Sequence, residues 1–374
     1  MRKLALLLGS LVVVASASAK EVVPAPVVVE EAPVQIVEKE VIVYRDKEEG
    51  FRPSGNVGLE VRYFDRTEGQ KNGEWSDPDA GDKYSRTQIG GSVQLTENQK
   101  FEFRTRNWHD VDASHYASDS GAEVRLRYSY DHGNLGDSKV NFTSWVEYKK
   151  ARSDAQHFDY QARFDFAEYL FNNDFVKTST AIVAPRYKYA WSSNDDNYVN
   201  TLGLYIDIIN QYPWGFGSEI EIDGADYNFY NQDKVTYKLD GTKNDSWNDD
   251  FTLSVKAIIT QDTNLYSADK LSIDWHSEGG FDTYNWNEKD KVAYGLEKDY
   301  VIDGKPVVGH QKFEDTSYQA YFSSDVTATY QATEFVNVFA LAGAEYRNWA
   351  VDNASSATNW RWQPYVAAGF NVAF

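Results

Sequence analysis

The feature that most constrains the fold is an alternation of apolar side chains with small or polar ones at every second position. It is clearest in the last ten residues, YVAAGFNVAF, where Val366, Ala368, Phe370, Val372 and Phe374 form the apolar series. Successive side chains of a β-strand point to opposite faces, so this pattern predicts a strand with one apolar face. The strand continues to the final residue, where a soluble protein more often has a frayed polar tail.

The same alternation recurs along the chain and predicts fourteen strands. They are 56–64, 87–95, 101–108, 123–130, 140–149, 160–167, 175–191, 201–209, 216–224, 251–260, 269–275, 317–330, 336–347 and 361–374. The connections alternate between tight turns, such as QDTN at 261–264, and long polar stretches, such as 66–85, 230–249 and 277–315. Short turns at one end and long loops at the other are typical of transmembrane barrels.

The composition is compatible with a barrel and not with a helical membrane protein. The mean hydropathy is −0.59, yet the chain contains 26 Tyr and 11 Trp. In a closed barrel only alternate side chains face lipid, and aromatic residues form girdles at both lipid interfaces. We therefore predict an all-β fold, a transmembrane antiparallel β-barrel of 14 strands with short periplasmic turns and long external loops. The segment 300–309 has an Asp-Gly hairpin signal, and the count becomes 16 if it crosses the membrane.

The N-terminal region predicts export. Arg2 and Lys3 precede an apolar run at 4–14 and small residues at 17–19, a pattern that indicates a signal peptide at 1–19, cleaved before Lys20. Residues 20–53 are rich in Val, Glu and Pro and predict an extended periplasmic segment or, alternatively, plain disorder. The barrel would then occupy 54–374. The net charge of −20 argues against nucleic acid as a partner, because phosphate binders carry the opposite charge.

Three stretches near the N-terminus are distinctive. They are KLALLLGSLVVVASASAKEVVPAP at 3–26, VEKEVIVYRDKE at 37–48 and RPSGNVGLEVRYF at 52–64. Together they resemble the start of the fusobacterial major outer-membrane porin family, often called FomA. That resemblance implies a homotrimeric, water-filled diffusion pore in the bacterial outer membrane, with adhesion to other cells as a further role. It supplies no catalytic motif.

The apolar end of the last strand has a second resemblance. The series Val366, Phe370, Val372 and Phe374 is similar to the C-terminal signal by which outer-membrane proteins are recognised for insertion. The resemblance implies the barrel assembly machinery as a partner. The alternative is a hydrophobic terminal strand of some other barrel.

If the apolar positions face lipid, the alternating charged positions face the lumen. The positive ones, the basic wall, are Arg62, Arg104, Arg106, Arg125, Arg127, Arg163, Arg186 and Lys188, and the negative ones, the acidic wall, are Asp207, Glu219, Glu221 and Asp223. Opposed charges across a narrow wet lumen would admit small polar solutes and oppose apolar ones. The alternative is a wide pore in which these charges are merely solvated.

The remaining motifs give little chemistry. HDVDASH at 109–115 has residue types that bind metals, but their spacing fits no defined metal site. The acidic stretches 192–197 and 244–251 could bridge cations to lipopolysaccharide. For all three stretches, solvated loops are the favoured interpretation. We expect no metal, no cofactor and no enzymatic activity, because no Ser-His-acid grouping can be assembled. The sequence predicts a porin for ions and small hydrophilic solutes. The alternative is an adhesin or structural barrel that acts through its external loops, and 277–315 is a candidate gate or partial plug.

Overall fold

The computed structural model describes residues 51–68, 84–110, 121–152, 154–192, 196–237, 243–289, 292–296, 300–302, 305–307, 311–314, 316–348 and 360–374. The chain divides into two units, Met1–Arg52 and Pro53–Phe374. The predicted signal peptide and the Val/Glu/Pro-rich segment lie outside the described residues, apart from 51–53, which form neither helix nor strand. The second unit contains all the strands that follow.

Fourteen strands form a closed antiparallel barrel. They are β1 Ser54–Phe64, β2 Tyr84–Gln94, β3 Gln99–Asp110, β4 Gly121–Asn134, β5 Asn141–Lys150, β6 Ala155–Asp165, β7 Lys177–Ser192, β8 Tyr198–Gln211, β9 Phe216–Tyr237, β10 Lys243–Ala268, β11 Leu271–Asn287, β16 Thr316–Gln331, β17 Val336–Asn348 and β18 Trp360–Ala373. Each strand pairs with its neighbour in this order, and β18 pairs with β1. The prediction of a 14-strand antiparallel barrel is confirmed.

Four short strands lie between β11 and β16 and do not join the barrel. They are β12 Val292–Leu296, β13 Tyr300–Ile302, β14 Lys305–Val307 and β15 Gln311–Glu314. β12 pairs with β15, and β13 pairs with β14. The Asp-Gly signal thus corresponds to a local hairpin in which Ile302 is opposite Lys305. The sixteen-strand alternative is therefore wrong.

The connections differ between the two ends of the barrel. The end that holds Ser54 and Phe374 has the connections 95–98, 135–140, 166–176, 212–215, 269–270 and 332–335. Two of these contain single 3₁₀ turns, at Ala167–Tyr169 and Pro213–Gly215. The opposite end has the two longest connections, 65–83 and 288–315, together with short ones such as 151–154 and 238–242. Nowhere in the described ranges is a helix long and apolar enough to cross a membrane.

Several strands are longer than the sequence predicted. β9 and β10 continue through most of the predicted loop 230–249, and the predicted turn at 261–264 lies inside β10. The turn is instead at 269–270, where Asp269 has a φ of 44°. The turn at 261–264 and the loop at 230–249 were predicted from their polar composition. That prediction is wrong because strands can pair through backbone N–H and C=O groups whatever their side chains are.

Pro185 neither ends β7 nor causes a bulge in it, although proline is rare inside strands. It lies within β7 opposite Leu204 of β8. On the other side, the register of β6 and β7 is unchanged across it, from Gln161 opposite Arg186 to Phe164 opposite Val183. Proline lacks the N–H that strand pairing needs. Here it interrupts the pairing of β7 with β6 without shifting the register of the two strands.

The barrel wall has an exposed apolar face and a buried polar face, which is the reverse of a soluble protein. Apolar side chains are exposed, for example Leu202 at 56% and Ile259 at 63%. Charged and amide side chains are buried, for example Asp159 and Gln161. Soluble proteins bury the apolar set and expose the polar one. This arrangement is the one expected when lipid surrounds a barrel.

Candidate functional site

We call the polar face the set of strand positions that alternate with the exposed apolar ones. Directly opposite residues of paired strands lie on the same face, so the register traces it from strand to strand. One row runs Arg104, Arg125, Lys149 and His157 from β3 to β6. The same tracing places eleven of the twelve charged residues of the basic and acidic walls on the polar face, and Asp223 lies in a register shift between β8 and β9.

Glutamates that the sequence analysis did not select partly neutralise the basic wall. Arg104 Nη2 donates to Glu123 Oε1 at 2.6 Å, and Arg127 Nε donates to Glu147 Oε2 at 2.6 Å. The remaining members of β1 and β3 are also bonded. Arg62 Nε donates to Glu60 at 3.1 Å, and Arg106 Nε donates to Gln88 at 2.6 Å.

Three guanidinium groups of the basic wall, those of Arg106, Arg125 and Arg163, have no ion pair within the part of the chain that the structure describes. Arg125 lies opposite both Arg104 and Lys149 in the register. Arg163 donates from Nε to Gln161 at 2.8 Å. Its Cζ lies 4.1 Å from the centre of the Trp145 ring and 5.0 Å from that of the Tyr205 ring. These contacts are cation–π interactions, which leave the positive charge uncompensated.

A buried ionic network joins β6, β7 and β9 around Arg186. The Arg186 side chain is 2% exposed, and its nitrogens lie 3.2 Å from Asp226, 3.3 Å from Asp223 and 3.9 Å from Asp159. Lys188 adds a second cation 3.8 Å from Asp226. An ion buried to this degree is stable only when it is paired and hydrogen-bonded.

A β-bulge explains why the sequence analysis missed Asp226. Leu204 of β8 is opposite Ala225 and Ile206 is opposite Ile222, so two residues of β9, Asp223 and Gly224, oppose one residue of β8. The extra residue shifts the alternation by one position. Past the bulge the polar face is carried by even-numbered residues. The Asp-Gly pair was the available signal.

Gly203 of β8 makes room for the displaced carboxylate. It lies opposite Asp226. A Cβ atom at this position would lie 1.8 Å from Asp226 Oδ1, far below any real contact distance. A glycine is therefore required where the Asp226 side chain crosses the β8 backbone.

The acidic wall carries more charge than its cation compensates. Lys256 Nζ lies 2.9 Å from Glu219 and 3.8 Å from Glu221. Asp207 has no ion pair within the described ranges, and its buried Oδ1 has no hydrogen-bond partner there. Two carboxylates therefore share one ammonium group, and the third, that of Asp207, has no paired cation among the described residues.

A cavity of about 170 Å³ opens on the polar face between β4 and β9. Seven wall residues line it, namely Arg125, Arg127, Arg163, Arg186, Lys188, Glu221 and Asp223. The other five, Arg62, Arg104, Arg106, Asp207 and Glu219, do not line it. The lining also includes residues that the sequence analysis did not select, namely Trp145, Glu147, Lys149, His157, Asp159, Gln161 and Tyr205. Four of them, Trp145, Glu147, Lys149 and Gln161, alternate with other residues in the predicted strands 140–149 and 160–167, and that alternation was a usable signal.

The C-terminal apolar series lies on the apolar face at the seam of the barrel. Val372 is opposite Val57, Phe370 is opposite Leu59 and Val366 is opposite Tyr63. The series that resembles an assembly signal thus packs against the first strand. Its recognition by the barrel assembly machinery stays a prediction.

The candidate cation sites find little support. Among the described residues no group of three or more His, Asp or Glu is placed to hold a metal ion. His109 and Asp110 end β3, and the rest of 109–115 lies outside the described residues. The stretch 244–251 belongs to β10 and is not the predicted loop tip.

Comparisons with known proteins give similarities of shape only. No family model matches the sequence, and no curated protein matches it. A bacterial polysaccharide outer-membrane secretin is 10% identical, with 86% of this chain and 98% of that chain covered and a TM-score of 0.40. An anion-selective porin from Comamonas acidovorans is 9% identical, with 86% and 99% covered and a TM-score of 0.34. The outer-membrane channel DcaP of Acinetobacter baumannii is 8% identical, with 86% and 96% covered and a TM-score of 0.33. At such TM-scores the function has to be argued from this chain's own residues.

Proposed function

We propose that this chain is a bacterial outer-membrane porin, whose polar face lines a water-filled channel for passive diffusion of ions and small hydrophilic solutes. The observation that carries the proposal is contact between strands that are not neighbours. Arg186 of β7 bonds to Asp223 and Asp226 of β9, and Arg163 of β6 stacks on Tyr205 of β8. In a closed barrel, side chains two strands apart approach each other on the concave side, so the polar face is the inner one.

The inner face is too charged to form a dry core. Its uncompensated groups, Arg125 and Arg163 on one side and the acids around Lys256 on the other, need solvation. An isolated ion in an apolar interior costs far more free energy than a fold can supply. Water in the lumen meets this requirement, and a wet lumen between opposed charges is the structural basis of diffusion through porins.

The cellular setting is part of the same proposal. A cleaved signal peptide delivers the chain to the periplasm, and the apolar face meets outer-membrane lipid and lipopolysaccharide. The assembly is a homotrimer, inserted by the barrel assembly machinery. No catalytic residue, metal or cofactor takes part, and the solutes pass without chemical change.

A second candidate function is an adhesin or structural barrel with a closed lumen. Two observations favour it. Gln161, Thr201 and Asp250 on the polar face are each 1% exposed, which indicates that side chains fill part of the interior. In addition, β9 and β10 contain 22 and 26 residues, whereas a transmembrane strand needs about 9–11. The excess would stand beyond the membrane as a ribbon available to other cells.

Conductance separates the two functions. Purified protein refolded in detergent is added to a planar lipid bilayer, with heat-denatured protein in the same detergent as the control. We expect stepwise openings, in groups of three if the pore is a trimer. A bilayer that stays silent, although gel mobility shows the barrel to be folded, would rule out the porin and support the closed barrel.

A further inference from the structure

The cavity on the polar face presents both signs of charge to one small volume. Its β4 and β6 sides carry Arg125 and Arg163, which have no ion pair among the described residues. Its β9 side carries Glu221 and Asp223. We infer that this cavity is a binding subsite for small zwitterionic solutes of the α-amino acid class. The inference rests on the proposed porin function and specifies a solute class for it.

The charge on each side of the cavity matches one end of a zwitterion. A solute carboxylate can accept hydrogen bonds from the guanidinium groups, which present several N–H donors in a planar fork. A solute ammonium group can donate to the carboxylate of Glu221, whose nearest cation, Lys256, lies 3.8 Å away and is shared with Glu219. An anion or a cation alone would satisfy one side and meet like charge on the other.

The environment is drier than open water, which strengthens these interactions. Trp145 and Tyr205 are 6% and 7% exposed and lie beside the Arg163 guanidinium. Coulombic attraction grows as the effective dielectric constant falls. The two rings also fix the position of Arg163, so less side-chain entropy is lost when it binds a solute.

The volume limits the solute to a few atoms. A cavity of about 150 Å³ accommodates benzene, which has six non-hydrogen atoms, and this cavity has a similar volume of about 170 Å³. A compact α-amino acid of about six non-hydrogen atoms fits this space. Larger members of the class would have to extend into the lumen.

The test uses four solutes of nearly equal size that differ in charge. L-alanine is zwitterionic, its isomer lactamide is neutral, lactate is an anion and alaninamide is a cation. Uptake is measured by swelling of proteoliposomes that contain the refolded wild-type protein. We expect L-alanine to enter fastest of the four at low salt concentration. Faster entry of lactate or of alaninamide would overturn the inference in favour of a simple ion site.

Two variants test whether the faster entry of L-alanine depends on the cavity. Arg125→Gln breaks no ion pair among the described residues, and Glu221→Gln leaves Lys256 paired with Glu219. Each is expected to lower the ratio of L-alanine uptake to lactamide uptake about threefold to fivefold, the range that a single partly solvated ion pair contributes. Lys139→Gln is the control, because Lys139 is an exposed cation in the connection 135–140, outside the cavity and outside both walls, and the ratio should stay as in the wild type. An equal ratio in all four proteins would overturn the inference.

A measurement on the wild type covers the case in which a variant folds poorly. L-alanine added to a single channel should lower its mean current, and lactamide should not. Equal effects of the two isomers would overturn the subsite and leave the porin intact. If no solute enters the proteoliposomes and the bilayer is silent, the porin function itself fails and the subsite with it.

Discussion

Gly55 and Phe374 exchange both of their backbone hydrogen bonds. The Gly55 N–H donates to the Phe374 carbonyl at 2.8 Å, and the Phe374 N–H donates to the Gly55 carbonyl at 3.0 Å. A Cβ atom at Gly55 would lie 2.9 Å from Phe374 Cζ and 2.4 Å from the Ser92 carbonyl oxygen. The last residue of the chain therefore closes the barrel seam with its backbone while its ring covers a glycine of β1.

The first prediction concerns this seam. Deletion of Phe374, or Phe374→Glu, should reduce the amount of folded barrel much more than it changes the conductance of any barrel that forms. The deletion removes two ladder hydrogen bonds, and the charged residue would end an apolar series that faces lipid. Heat-modifiable gel mobility and protease protection in cells measure the folded fraction. Ala373→Ser, one position earlier on the polar face, is the control. Wild-type levels of folded barrel in both Phe374 variants would contradict the prediction.

The barrel was predictable because most of its strands separate an apolar face from a polar one. β1 and β18 show this, since Leu59 and Phe370 are opposite each other on the apolar face and their neighbours in sequence are small or polar. Where both faces of a strand are polar, the alternation disappears. For this reason the sequence at 230–249, which contains the end of β9 and the start of β10, predicted a loop.

The site was less predictable, because it depends on register and on contacts between strands. The bulge at Asp223 and Gly224 reverses the phase of β9, and it brings Asp226 beside Arg186. Such a shift depends on the pairing of β9 with β8, and the alternation along β9 alone does not predict it. The stacking of Arg163 on Trp145 likewise joins side chains from two strands.

The second prediction tests the buried network. Asp226→Asn removes the carboxylate that lies within 4 Å of both Arg186 and Lys188. Because the buried Arg186 and the half-buried Lys188 then lose a counter-ion, we expect the free energy of unfolding to fall by about 3 kcal/mol. Urea titration of the refolded barrel in lipid vesicles measures it. Glu102→Gln is the control, since its pair with Lys100 is largely exposed and should contribute less than about 1 kcal/mol. Equal losses in the two variants would show that burial does not matter here.

The third prediction concerns the connection from β11 to β16. Its start is fixed to the barrel, because the Glu288 N–H donates to the Phe251 carbonyl at 3.0 Å and Lys289 bonds to Asp249. It also contains the hairpin of β13 and β14. If this connection folds over the pore, replacing 290–314 by a short Gly-Ser linker should raise single-channel conductance. Shortening 349–359 in the same way is the control. Unchanged conductance would instead place 290–314 outside the pore, as a binding surface.

The last prediction separates a charged constriction from a wide pore. Replacing Arg104, Arg106, Arg125 and Arg127 by Gln leaves Glu123 and Glu147 without these partners, so permeation should shift towards cations. Replacing Glu219, Glu221 and Asp223 by their amides leaves Lys256 uncompensated by them and should shift permeation towards anions.

Each shift in the ratio of cation to anion permeability should be at least about threefold, which corresponds to one kT, whereas clustered charges generate potentials of several kT. Both shifts should weaken in concentrated salt, because the Debye length falls from about 10 Å at 0.1 M to about 3 Å at 1 M. The reversal potential across a salt gradient measures them. Identical reversal potentials in the wild type and both variants would mean that these side chains do not control a narrow part of the pore, and the assignment of the two walls to the constriction would have to be given up.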